Sequence, residues 1–119
     1  MFVARYPDWV AQVHFDDDTI RYFDGPKDTF KFLFNLDRYL PGRSRQDVVA
    51  IYVTGYYEPK PIPAEKAYFV KGSDVFGPMG LELVPLASEE EALEFRRDHK
   101  GTEIYRLKTI TPDVISDLD

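Results

Sequence analysis

The stretch 67-AYFVKGSDVFGPMGLELVPLASEEEALEF-95 holds a strand, a long turn, a second strand and a capped helix. Ala67 to Val70 is short, apolar and bounded by Gly72, as a buried strand should be. Leu81, Leu83 and Pro85 alternate with Glu82 and Val84, so a second strand is expected after the turn. Ser88 with Glu91 three residues on is a capping box, and it opens a helix. Ala92, Leu93 and Phe95 are its expected inner face. Arg96, Arg97 and Lys100 sit near its C-terminal end, where they complement the helix dipole. Gly101 closes it, and Ile104, Tyr105 and Leu107 make the last strand. This half therefore reads β-β-α-β.

The turn itself contains Gly77-Pro78-Met79-Gly80. Glycine opens left-handed backbone and proline fixes its own φ, so Met79 is expected on a fixed, exposed bend. A thioether there is either idle filler or a soft donor shown to a soft metal.

The same plan is read upstream. Residues 9–15 alternate with period two, with Trp9, Ala11, Val13 and Phe15 on one face and Val10, Gln12 and His14 on the other. Asp16-Asp17-Asp18 is a hairpin turn; it lacks the further ligands and glycine of a calcium loop. Residues 19–23 return as a second strand. Pro26 and Asp28 start a helix, whose core face is Phe30, Leu33, Phe34, Leu36 and Leu40, and Pro41-Gly42 stops it. Arg43 and Arg45 lie in a polar loop. Residues 48–54, short and β-branched, read as a central strand buried on both faces. The three prolines of 55–66 exclude a central strand or a helix there and mark a stiff connector.

The predicted organisation is α+β: two related ββαβ lobes, each an antiparallel sheet with one helix. The lobes cover residues 1–57 and 67–110, with a Pro-rich connector at 58–66 and an acidic tail at 111–119 that is expected to hold one short helical turn from Pro112.

Composition limits function. The 119 residues are 44% hydrophobic, enough for one interior shared by two small lobes. Net charge is −6, which argues against a nucleic-acid partner. No run of eighteen apolar residues could span a membrane, and the opening residues lack the pattern of a secretory leader. There is no cysteine, hence no thiolate ligand or cysteine nucleophile. No serine lies in a nucleophile-elbow context, and no Walker, dinucleotide or zincin motif occurs, so no enzyme is expected. Of the two histidines, His99 reads as a surface residue at a helix end, and His14 as a candidate metal ligand.

Four segments, in order, carry a resemblance. They are Met1-Phe2-Val3-Ala4-Arg5-Tyr6-Pro7, Tyr22-Phe23-Asp24-Gly25-Pro26-Lys27-Asp28, Tyr52-Val53-Thr54-Gly55, and the P-M-G turn followed by an apolar strand and a helix with Ala92-x-x-Phe95. Together they resemble the NosL family, the copper-binding accessory lipoproteins of nitrous-oxide reductase maturation, up to about Pro112. The resemblance implies a pair of ββαβ lobes, a fold also similar to organomercury lyase, whose chemistry rests on thiols absent here.

It further implies Cu(I) as cargo, Met79 and Met1 as ligands, a client copper enzyme as partner and a periplasmic location. Met1 matches the methionine of a C-G-M motif. The expectation is that the physiological chain extends upstream into a lipidated cysteine, its sole membrane contact; the alternative is a relative that has lost this ligand. The metal set expected from the sequence is thus Met79, Met1 and His14, with weak or no Cu(I) binding in the absence of the thiolate. A metal-free ligand- or protein-binding module, its cleft lined by tyrosines and Trp9, is the rival reading.

Overall fold

The computed structural model describes residues 7–119. The first lobe begins with β1 (Ala11–Phe15), which turns through the three aspartates into β2 (Ile20–Phe23). Arg43 reaches back to Asp16 and Asp17 and closes this turn from outside. Helix α1 (Pro26–Phe34) follows, then a short α2 (Leu36–Tyr39), then β3 (Val48–Thr54). Strand β3 pairs antiparallel with β1, placing Val13 opposite Ile51.

The second lobe has β5 (Tyr68–Lys71), β8 (Val84–Leu86), α3 (Glu89–Asp98) and β9 (Glu103–Tyr105). Its sheet runs β8-β5-β9, and the first runs β2-β1-β3 with a short edge strand, β4 (Pro61–Pro63), beside β3. In both lobes the first strand is central, the second lies on one side and the strand after the helix on the other. The two ββαβ units therefore share one topology, as the sequence predicts. The second lobe alone carries an inserted hairpin, β6 (Phe76–Gly77) with β7 (Gly80–Leu81), between its first two strands.

The lobes share an interior. Ala11, Val13 and Phe15 alternate inward from β1 and meet Phe30, Phe32 and Leu33 of α1. Phe69 of β5 and Leu83 join this same cluster, and Phe30 meets Phe69 edge to face at 5.8 Å. Val70, next along β5, points the other way into a smaller cluster with Val84, Leu86, Ala92 and Phe95. So the second sheet has α3 on one face and the first lobe on the other.

Several local expectations change. Strand β3 is central but not buried on both faces, since Val49 is 64% exposed. The helix breaks at Asn35, whose side chain donates to the Lys31 carbonyl. The break turns Phe34 outward and leaves Phe32 buried in its place. Leu93 is likewise exposed on α3. Half of the capping box forms: the Glu91 N–H donates to Ser88 Oγ at 3.2 Å, and the Glu91 carboxylate accepts from Ala87 rather than Ser88.

The connector contains a strand, β4 (Pro61–Pro63), at the edge of the first sheet. Ile62 pairs with Val53, and the flanking prolines are tolerated because an edge strand has one side without ladder bonds. The acidic tail forms the short helical turn expected of it and packs onto the core. Thr111 caps α4 (Pro112–Ser116), and Val114, Ile115 and Leu118 are buried in the main core against α1. Asp117 pairs with Lys71 of the second lobe and Asp119 with Lys31 of the first. Among the described residues no helix is long and apolar enough to cross a membrane.

Candidate functional site

The inserted hairpin presents Met79. Phe76 pairs with Leu81 and Gly77 with Gly80, leaving Pro78 and Met79 as the turn. Gly80 has φ +98, a left-handed angle that closes the turn and disfavours any side chain there. Met79 is 57% exposed. Its thioether is displayed, and the backbone behind it is held: Lys27 Nζ donates to the Met79 carbonyl at 2.9 Å.

Lys27 comes from the first turn of α1 and is buried. The same ammonium lies 3.4 Å from the Leu118 carbonyl, so it joins α1, the hairpin and the C-terminal segment. Its backbone N–H donates to Glu82 Oε1 at 2.7 Å, and the Leu83 N–H donates to that oxygen at 3.0 Å. Helix α1 has no side-chain cap of its own, because Gly25 stands at its N-cap. Glu82, from just beyond the hairpin, serves that end instead, where a carboxylate complements both the orphan N–H and the dipole. A Cβ on Gly25 would run into Glu82 Oε2, so glycine is what lets the carboxylate approach. Burial pushes the Glu82 carboxyl up to about 7, against the lowering effect of the two backbone donors and the Lys27 charge.

The hairpin borders a cleft of about 250 Å³ lined by Asp8, Trp9, Tyr56, Tyr57, Val75 and Phe76, among others. Trp9 stands near the beginning of the described chain and Phe76 three residues before Met79, so the N-terminal approach and the hairpin meet at one place. Tyr56 and Tyr57 pack edge-on against Phe95 of α3, and the Tyr56 N–H donates to the Pro85 carbonyl across the lobes.

The other residues expected at a metal site lie elsewhere. His14 Nε2 is 2.9 Å from Gln12 Oε1, and its ring meets Tyr52 edge-on at 5.1 Å. By the alternation of β1 this is the face turned away from α1, whereas Met79 is tied to α1 itself. The structure does not bring His14 and Met79 together. Met1 lies outside the described residues. His99 caps the end of α3, stacks on Phe95 and pairs through Nδ1 with Asp74 at 3.0 Å. Among the described residues no group of three or more His, Cys, Asp or Glu is arranged to hold a metal.

Sequence reasoning missed Lys27 and Glu82. One signal was present: a helix start at Gly25-Pro26 with no Ser, Thr, Asp or Asn to cap it requires an acceptor from elsewhere in the fold.

Comparison with known proteins gives a consistent picture. The copper chaperone NosL from Shewanella denitrificans, seen in a crystal structure, is similar with a TM-score of 0.74 and 24% identity, over 95% of this chain and 86% of that one. Apo-NosL from Achromobacter cycloclastes, determined by solution NMR, has a TM-score of 0.59 and 25% identity, over 88% of this chain and 87% of that one. No curated protein sequence matches. The NosL family model matches residues 1–115. The chain belongs to the NosL family.

Proposed function

We propose that this protein is a non-catalytic Cu(I) carrier that binds copper through the Met79 thioether and passes it to a periplasmic copper enzyme of the nitrous-oxide reductase kind. One observation carries the reading: Met79 is exposed on a closed turn whose carbonyl is tied to a buried lysine. Sulfur in such a place is accessible to a partner, and Cu(I) prefers thioether and thiolate donors to oxygen. The hairpin borders the cleft that the N-terminal approach also lines, which favours Met1, or a cysteine upstream of it on a lipid-anchored form, as the companion ligand. His14, on the far face of the first sheet, is left out of this ligand set.

A neutral thioether holds Cu(I) less tightly than a thiolate does, which suits a carrier that must release its cargo. Competition of the chain with a Cu(I) chelator tests the reading. Weak binding is expected, and Met79→Ala should weaken it about tenfold, the equivalent of about 1.4 kcal/mol. Binding indifferent to Met79→Ala would refute the assignment.

The aromatic cleft favours a second reading, a metal-free binding module. Trp9 is the one tryptophan, so its emission reports on the cleft directly. A carrier should show a Cu(I)-dependent change in that emission which Met79→Ala reduces; a change driven by a peptide or small ligand, with no response to Cu(I), supports the module.

A further inference from the structure

We propose that Lys27 and Glu82 are positioning residues that hold the Met79 turn in one orientation against the first lobe, so that the donor sulfur is preset before metal arrives. This rests on the copper-carrier reading above.

A two-stranded hairpin is at best marginally stable alone, and this one has little apolar anchorage. Its cross-strand pair, Phe76 and Leu81, is exposed on both members. What fastens it is polar. The Lys27 ammonium donates to the Met79 carbonyl, and the Glu82 carboxylate, one residue past the hairpin, accepts from the Lys27 and Leu83 backbone. Both side chains are almost fully buried. Burying an ammonium and a carboxyl carries a desolvation cost, and an apolar pair of similar volume would fill the space without that cost. The arrangement gains orientation: one side chain fixes the carbonyl of the donor residue, the other fixes where the hairpin leaves the sheet. Holding a donor in its bound geometry cuts the ordering cost of binding. Gly77 belongs to the same device, since a Cβ there would sit 3.3 Å from Glu82 Cγ. Asp28 of α1 and Asp119 of the C-terminal segment share the field of these two groups, and Asp119 is itself paired with Lys31.

The test is a double-mutant cycle read by Cu(I) competition. Lys27→Leu keeps an apolar side chain, adds no sulfur and removes the donor to the Met79 carbonyl. If Lys27 acts through Met79, Lys27→Leu weakens Cu(I) binding about fivefold in the parent and leaves a Met79→Ala background unchanged. An equal loss in both backgrounds overturns the positioning role. Indifference to Met79→Ala itself sinks the carrier reading instead, so the two failures are distinct. A metal-free readout accompanies it: hydrogen exchange at the Gly80 and Leu81 amides should quicken in Lys27→Leu while that of β5 does not, and unchanged exchange in the hairpin overturns the proposal. Should Lys27→Leu fail to fold, Glu82→Leu, which removes the acceptor for the Lys27 and Leu83 amides, enters the same cycle. There a coupling to Met79 supports the latch and its absence overturns it.

Discussion

Glu82 makes the stability of this protein fall as pH rises through the neutral range. Its carboxyl is 3% exposed and is pushed from 4.5 to about 7 by burial. Below pH 4.5 the group is protonated in both the folded and the unfolded chain. Between 4.5 and 7 the unfolded chain gives up this proton while the folded one keeps it, so each step in pH favours unfolding. Above 7 both forms are ionised and the difference levels. A shift of this size is worth about 3 kcal/mol, at about 1.36 kcal/mol for each pH unit. Glu82→Gln keeps the shape and an acceptor oxygen but does not titrate, and the burial cost of its amide is the same at every pH. The quantity to measure is therefore the stability of Glu82→Gln minus that of the parent, from urea unfolding followed by circular dichroism at pH 4, 6 and 8. We expect it to rise by about 3 kcal/mol across the series, or about 12 °C in Tm for a domain of this size. Taking the difference cancels every other titrating group. A difference that is flat from pH 4 to 8 would show that the two backbone donors and Lys27 keep the carboxylate ionised, and would refute the reasoning.

Two further outcomes test the frame around the site. Gly72 has φ +82 and a Cβ there would meet the Thr102 side chain, so Gly72→Ala should cost about 2 kcal/mol by urea unfolding; a neutral result would mean that the β5 turn is free to rearrange. Ile115→Ala should cost about 2 to 4 kcal/mol, because Ile115 is a buried member of the main core; a loss under about 0.5 kcal/mol, the level of an ordinary surface change, would show that the C-terminal helix contributes no packing.

The lobes were legible because their strands and helices obey simple periods. Ala11, Val13 and Phe15 alternate, residues 48–54 form a strand with the predicted ends, and Ser88 caps α3 as its spacing requires. Failures cluster where tertiary context decides. Pro61 and Pro63 argue against a strand locally, yet an edge position accommodates them. Asp113, Asp117 and Asp119 mark an acidic tail whose short helical turn does form, but nothing local shows that Val114, Ile115 and Leu118 between them are buried in the shared core. Phe32 and Phe34 exchange inside and outside because the helix bends at Asn35.

The candidate site shows the same division. Gly77-Pro78-Met79-Gly80 announces an exposed methionine on local chemistry alone, and Met79 is indeed exposed. Glu82, 55 residues from Lys27, sits in an apparent inside-outside alternation that assigns it to solvent. The alternation fails because Leu83, Val84, Pro85 and Leu86 are all buried, Leu83 in the core the lobes share and Val84 and Leu86 beneath α3. No single-segment pattern encodes that a carboxylate and an ammonium from different lobes will share one dry corner. His14 illustrates the reverse: its sequence setting leaves a metal role open, and only the sheet shows that it faces away from Met79.

The hairpin that displays Met79 occupies the position where the first unit has nothing but the three-aspartate turn. Neither sheet takes a strand from it. It follows that the Met79-bearing excursion can lengthen, shorten or trade its tip residue during evolution while both sheets beneath keep their strands. Relatives with a different cargo or recipient would be expected to diverge in this one loop first. For the same reason an engineer wishing to retune the donor should start there, and transplanting the excursion onto the aspartate turn of the first unit would ask whether the scaffold accepts a second port.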